Sequence, residues 1–105
     1  MMEGLVQEIG EWAEETFKQD ASPECLAALC KHICKEANEL ENAVPDRGWI
    51  AAECADILIL ICSLSHLLDF DLHEAVLAKM NINRNRQWGE PDKDGVIEHR
   101  KEGEG

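Results

Sequence analysis

Residues 36–57 read EANELENAVPDRGWIAAECADI, and the organisation of the chain turns on how this stretch folds. Its middle, Val44 to Gly48, holds Pro45, Asp46 and Gly48 and reads as a turn. Helical periodicity runs up to it through Leu26, Leu29, Ile33, Ala37 and Leu40. It runs away from it through Ile50, Cys54, Ile57, Ile61, Leu64 and Leu68. A turn this short makes the two helices antiparallel neighbours. Each carries the same pattern, acid-x-x-acid-aliphatic: Glu36, Glu39 and Leu40 before the turn, Glu53, Asp56 and Ile57 after it. At about 100° per residue, Glu36 and Glu53 fall within the edges of the apolar stripes, and Glu39 and Asp56 lie just beyond them.

Working outward, a first helix spans roughly Glu3 to Gln19, with Leu5, Ile9, Trp12, Ala13 and Phe17 on one face. Ser22 reads as the N-cap of the second helix, with Pro23 at its first position, and that helix continues to about Ala43. The third runs from about Trp49 to Leu68. Asp71 and Glu74 form the capping box of a fourth, which extends to about Trp88. Trp49 and Trp88 are expected to anchor helix ends in the core, and His66 and His73 read as ordinary helical residues. No stretch reads as a strand. The expected architecture is an all-α four-helix bundle, one domain over residues 1–98, with a flexible charged tail at 99–105.

The chain has 105 residues with 22 Asp and Glu against 10 Lys and Arg, a net charge of −12. Such a surface repels nucleic-acid backbones, so no nucleic-acid partner is expected. It repels a phosphorylated small molecule too, unless a metal ion stands between the phosphates and the carboxylates. The acidic N-terminus lacks the basic region of a signal peptide, and the longest fully apolar run, Ile57 to Cys62, is too short to span a bilayer. No membrane partner and a cytoplasmic location are therefore expected. Five cysteines, an odd number without a secretion signal, read as reduced and packed as small apolar residues.

Paired carboxylates on the flanks of two core-facing stripes repel each other and are costly to bury. Protonation, basic partners or cations could neutralise them, and an oxygen-rich set of this kind suits Mg²⁺ or Mn²⁺. The competing explanation is a solvated acidic face, which one acid-x-x-acid pair alone would favour; two pairs in matching register weaken it. On the fourth helix, Lys79, Asn83 and Arg86 share a face within roughly 60°. Lys offers a point charge and Arg a fork for phosphate oxygens. Ion pairing with surface acids, or interaction with the helix dipole, would account for the same residues. A di-iron carboxylate bundle needs Glu-x-x-His pairs, and neither acidic motif has them.

Glu36-x-x-Glu39 followed by Glu53-x-x-Asp56 resembles the ExxE…ExxD signature of the MazG-like all-α NTP pyrophosphatase superfamily. Lys79-x-x-x-Asn83-x-x-Arg86-x-Trp88 is similar to its downstream basic motif. The finer resemblance is to the phage and bacterial dATP/dGTP diphosphohydrolase branch. It rests on Trp12-x-x-x-Thr16-Phe17, His32-x-x-Lys35-Glu36, Asn83-Arg84-x-Arg86-x-Trp88 and Asp94 to His99. Lys35 departs from the Glu-Glu-x-x-Glu form often seen there, without removing one of the four acids.

The resemblance implies hydrolysis of a nucleoside triphosphate, most readily dGTP or dATP, to the monophosphate and pyrophosphate. It implies Mg²⁺, or Mn²⁺, held by Glu36, Glu39, Glu53 and Asp56, one of which orients the attacking water. Lys79 and Arg86 would hold the β and γ phosphates, and Asn83 a phosphate or the sugar. Trp12, Phe17 and His32 are the candidates for contacting the base or sugar, with aromatic packing between helices as the alternative for Trp12. A homodimer or homotetramer is implied, in the host cytoplasm for a phage protein. The apolar circumference of the third helix (Ile57 to Ile61) points the same way, because a helix apolar all round is buried on several sides. The alternatives are dUTP or dCTP hydrolysis on the same scaffold, or a helical dimer that binds nucleotide without cleaving it.

Overall fold

The computed structural model describes residues 2–100 and contains four helices: α1 (Met2–Phe17), α2 (Pro23–Ala43), α3 (Arg47–Leu68) and α4 (Leu72–Arg84). Among the described residues there is no strand, only an isolated antiparallel bridge between Trp88 and His99. The chain divides into two compact units, Met1–His73 and Glu74–Gly105.

In the first unit α3 is the central helix and packs against both α1 and α2. By length and composition alone α3 could cross a membrane, with a hydropathy of 1.8. Part of its apolar surface meets the two flanking helices, and two carboxylates interrupt its first half. Ser22 caps α2 by accepting from the Cys25 N–H at 3.2 Å. Asp46, read from sequence as part of a turn, is the N-cap of α3. Its Oδ1 accepts from the Trp49 N–H at 2.9 Å, so α3 starts at Arg47. The link between α2 and α3 is therefore only Val44 to Asp46. Asp69, with φ at 53°, closes α3, and the Ser65 hydroxyl donates to the Phe70 carbonyl at 2.6 Å.

The core is narrow and built from small residues. Ala13, Leu29, Ala43, Leu60 and Cys62 are its buried apolar members. Ser63, also buried, donates to the Ile59 carbonyl at 3.2 Å. All five cysteines are free, as expected, but only Cys62 packs as a buried small residue; Cys25 is half-buried, and Cys30, Cys34 and Cys54 are exposed on α2 and α3. α1 meets α3 at Gly10, where an added Cβ would overlap the His66 ring. His66 is thus part of the helix contact, and its Nε2 lies 3.3 Å from Glu14 Oε2.

The second unit ends α4 earlier than periodicity suggests, at Arg84 rather than Trp88. Side chains take the last carbonyls. The Asn85 amide donates to Asn81 O at 2.8 Å, and the Trp88 indole N–H to Asn83 O at 3.1 Å. The following segment folds back on itself, with Gly89 N donating to Glu98 O and Arg100 N to Gln87 O. Asp92 Oδ1 accepts from the N–H groups of Asp94 and Val96, and Gly95 takes a φ of 82°, which favours glycine. Of the tail expected from residue 99, His99 and Arg100 are held by these pairings; residues 101–105 lie outside the described ones.

The tight α1–α3 approach makes a direct prediction. Gly10→Ala forces a methyl group into the His66 ring and costs about 1–3 kcal/mol, measured by urea denaturation. Gly4→Ala, where nothing lies within 4 Å of the new Cβ, leaves stability unchanged or raises it by up to about 1 kcal/mol.

Candidate metal centre

Helix geometry brings the two acidic motifs to one level. Glu36 lies seven residues before α2 ends at Ala43, and Glu53 six residues after α3 begins at Arg47. At the rise of an α-helix these offsets correspond to about 10 Å and about 9 Å from the shared turn. One ligand oxygen from each of Glu36, Glu53 and Asp56 lies within 4.8 Å of the others. Glu53 is buried, the Glu36 side chain is 15% exposed, and Asp56 is exposed. Glu39 is exposed and stands outside this close set, near enough that its charge acts on Glu36.

The two glutamates are held alike. Glu36 Oε1 lies 3.2 Å from His32 Nε2, and Glu53 Oε1 accepts from the Trp49 indole N–H at 3.2 Å. The other oxygen of each, Oε2, is buried, and no donor reaches it. Buried oxygens without donors are rare and costly. Two of them, on glutamates whose carboxylates approach each other from facing helices beside a third, have the donor chemistry of a hard divalent cation site. The residues present therefore fit Mg²⁺ or Mn²⁺.

The Glu36 carboxyl is held above the ordinary carboxylate range, first by its hydrogen-bonding contact with Glu53, then by burial and by the negative charge of Glu39. A carboxyl whose pKa is raised by folding contributes stability at low pH and loses it as pH rises through the raised value.

The remaining expected residues are placed as follows. Lys79 is exposed on α4. Arg86 lies just past the end of α4, where a turn bond from its N–H to Asn83 O brings it back toward Asn83. Its Nη1 is 3.4 Å from Asn83 Oδ1 and 3.4 Å from His99 Nδ1. Trp12 and Phe17 form an edge-to-face pair at 5.3 Å, both more than half exposed. His32, expected at the base or sugar, has its Nε2 at 3.2 Å from Glu36 Oε1, with its side chain 55% exposed. Trp49 and Trp88, expected in the core, are each about half exposed, because their indole N–H groups go to Glu53 and to Asn83 O at the rim of the fold.

Two residues were missed from sequence, Trp49 as a partner of Glu53 and His99 as a partner of Arg86. A signal for Trp49 was present. Trp49 precedes Glu53 by four residues, as His32 precedes Glu36, and residues four apart are neighbours on a helix. A cavity of about 470 Å³ opens elsewhere in this unit, beside Gln7, Glu11, His66, Phe70 and Leu72, and holds none of the expected site residues.

The model of the dATP/dGTP pyrophosphohydrolase family matches residues 5–104. The chain belongs to that family. Among its relatives, a dATP/dGTP diphosphohydrolase of cyanophage S-2L is 44% identical over 68 residues, which is 64% of this chain and 64% of that protein. A dATP/dGTP diphosphohydrolase of Salmonella phage PMBT28 is 33% identical over 92 residues, 87% of this chain but 29% of its own length. The matches thus span less than two thirds of either relative. Among solved structures, the cyanophage S-2L MazG-like pyrophosphohydrolase, bound to dGDP and three catalytic Mn²⁺ ions per active site, superposes with a TM-score of 0.73. Identity is 29%, covering 96% of this chain and 94% of that one. The all-α MazG-like fold expected from the acidic signature is the fold of this family member.

A metal ion bound at Glu36 would compete with protons there, so the rise in melting temperature on adding Mn²⁺ should be larger at pH 7.5 than at pH 5. Replacing Glu36 by Gln should raise the melting temperature of the metal-free protein at pH 7.5 and shrink the Mn²⁺ effect. Scanning calorimetry with and without EDTA measures both.

Proposed function

We propose that the chain is a divalent-metal-dependent pyrophosphohydrolase of purine deoxynucleoside triphosphates. In this reading water cleaves the anhydride link between the α and β phosphates of dGTP or dATP, releasing the monophosphate and pyrophosphate. The observation that carries it is the pair of buried, donor-free Oε2 atoms of Glu36 and Glu53 beside Asp56. Family membership and the nucleotide and Mn²⁺ bound by the S-2L neighbour support it.

Glu36, Glu53 and Asp56, with Glu39 alongside, are assigned to hold Mg²⁺, with Mn²⁺ as the alternative. The ion, when bound, supplies neutralising charge to the triphosphate and acidifies water at neutral pH. One of the four carboxylates orients the attacking water. Lys79 and Arg86 are assigned to the β and γ phosphates and Asn83 to a phosphate or the sugar, on the motif alone. Trp12, Phe17 and His32 keep their assignment to the base or sugar, and the exposed pair of Trp12 and Phe17 offers a stacking face. Residues 1–98 are assigned to one catalytic domain, acting in the cytoplasm.

A homodimer or homotetramer is proposed with it. The central helix of the first unit leaves Ala51, Ala52, Ala55 and Leu58 exposed, and a fold this small often completes its core by assembly. Size-exclusion chromatography with light scattering should give at least twice the 11.8 kDa chain mass.

The decisive assay is pyrophosphate release from each common NTP and dNTP with Mg²⁺, Mn²⁺ or EDTA. The wild type should release pyrophosphate from dGTP or dATP in a metal-dependent way, and Glu53→Gln should abolish it. Arg86→Ala should raise KM about tenfold or more, since a charged hydrogen bond contributes about 1.5–3 kcal/mol. No release from any nucleotide by folded protein would leave a nucleotide-binding helical assembly as the better account.

A further inference from the structure

The two metal-facing glutamates share a feature beyond their acidity. Each has an aromatic ring nitrogen one helical turn before it, His32 for Glu36 and Trp49 for Glu53, and each nitrogen contacts Oε1 at 3.2 Å. In each case the oxygen left over, Oε2, is the buried one without a donor. The same division of labour thus appears on both helices, with the same four-residue offset. Neither ring is needed to fill the core: Trp49 is 49% exposed, and the His32 side chain 55%. An indole N–H can only donate, so Trp49 is the donor to Glu53 Oε1. In the tautomer that carries its hydrogen on Nε2, His32 donates likewise to Glu36 Oε1.

We propose that His32 and Trp49 are positioning residues of the metal centre. Each ties down the outer oxygen of its glutamate, fixes the carboxylate rotamer and leaves the inner oxygen as the one aimed at the cation. The proposal rests on the assignment of Glu36 and Glu53 as metal ligands. A glutamate on a helix has three rotatable side-chain bonds, and freezing it on cation arrival costs conformational entropy. A donor one turn away makes that cost part of folding. Outer-shell partners of this kind typically change metal affinity by about 10- to 100-fold when removed.

The test is Mn²⁺ affinity of the full chain, read by the electron paramagnetic resonance signal of free Mn²⁺ with no nucleotide present. Trp49→Phe keeps the ring and removes the N–H; His32→Leu removes the donor at an exposed position. Each should weaken Mn²⁺ binding by about tenfold or more, with circular dichroism and melting temperature of the metal-free protein near wild type. His32→Gln, which restores an N–H donor, should recover most of the affinity. Wild-type Mn²⁺ affinity in Trp49→Phe or in His32→Leu overturns the role of that residue. The ligand assignment is checked separately by Glu36→Gln and Glu53→Gln, which should abolish binding. If those two variants bind Mn²⁺ as the wild type does, the metal centre itself is misassigned. If they do not bind while Trp49→Phe and His32→Leu bind normally, only the positioning proposal fails.

Discussion

Two carboxylates that face each other across the α2–α3 contact are the constraint around which the first unit is organised. Glu53 is buried and Glu36 nearly so, and their inner oxygens have no donor. Like charges at this separation repel, and burial strengthens the repulsion by lowering the local dielectric. A protein optimised for stability alone would not keep them. The raised pKa of Glu36 is the same tension seen from the proton's side. A divalent cation bound there would resolve it without loss of the negative charges, which would link binding energy to folding energy at this point.

The surrounding structure makes that confrontation geometrically unavoidable. The three-residue link capped by Asp46 leaves α2 and α3 no room to slide, so residues at similar offsets from the turn must meet. On the other side of α3, Gly10 lets α1 approach until the His66 ring occupies the space of a side chain. The buried set of Ala13, Ala43, Cys62, Ser63 and Ser65 is equally small. Small residues allow close helix contact, and close contact allows rigidity in a fold with little apolar volume. Rigidity matters here because ligands placed in advance bind a cation with less ordering cost.

Much of this was legible in the residues themselves. Periodicity and the Ser22 and Asp71 signals placed four helices in order, and the matched register of Glu36 and Glu53 against Leu40 and Ile57 brought the acids to one face. What was not legible depended on side chains competing with the backbone. α4 stops at Arg84 because Asn85 and Trp88 take carbonyls that a longer helix would use, and apolar spacing carries no record of that. The expectation of a core position for Trp49 followed from its hydrophobic ring. Its polar N–H decided otherwise, since the indole turns to donate to Glu53 Oε1 and leaves half of the ring exposed. The contact of the His32 ring nitrogen with Glu36 is likewise a side-chain pairing that apolar spacing does not record. Asp46 was read as turn punctuation when it was also a cap, so α3 begins two residues earlier than expected.

The central claim is that Glu36 and Glu53 turn their donor-free oxygens toward a shared cation. Anomalous diffraction from a crystal grown with Mn²⁺ tests it most directly. The account predicts a peak within coordinating distance, about 2.0–2.3 Å, of Oε2 on both glutamates, with Oε1 of each still on His32 and Trp49. A peak elsewhere on the acidic surface, or none while the two carboxyls share a proton, would contradict it.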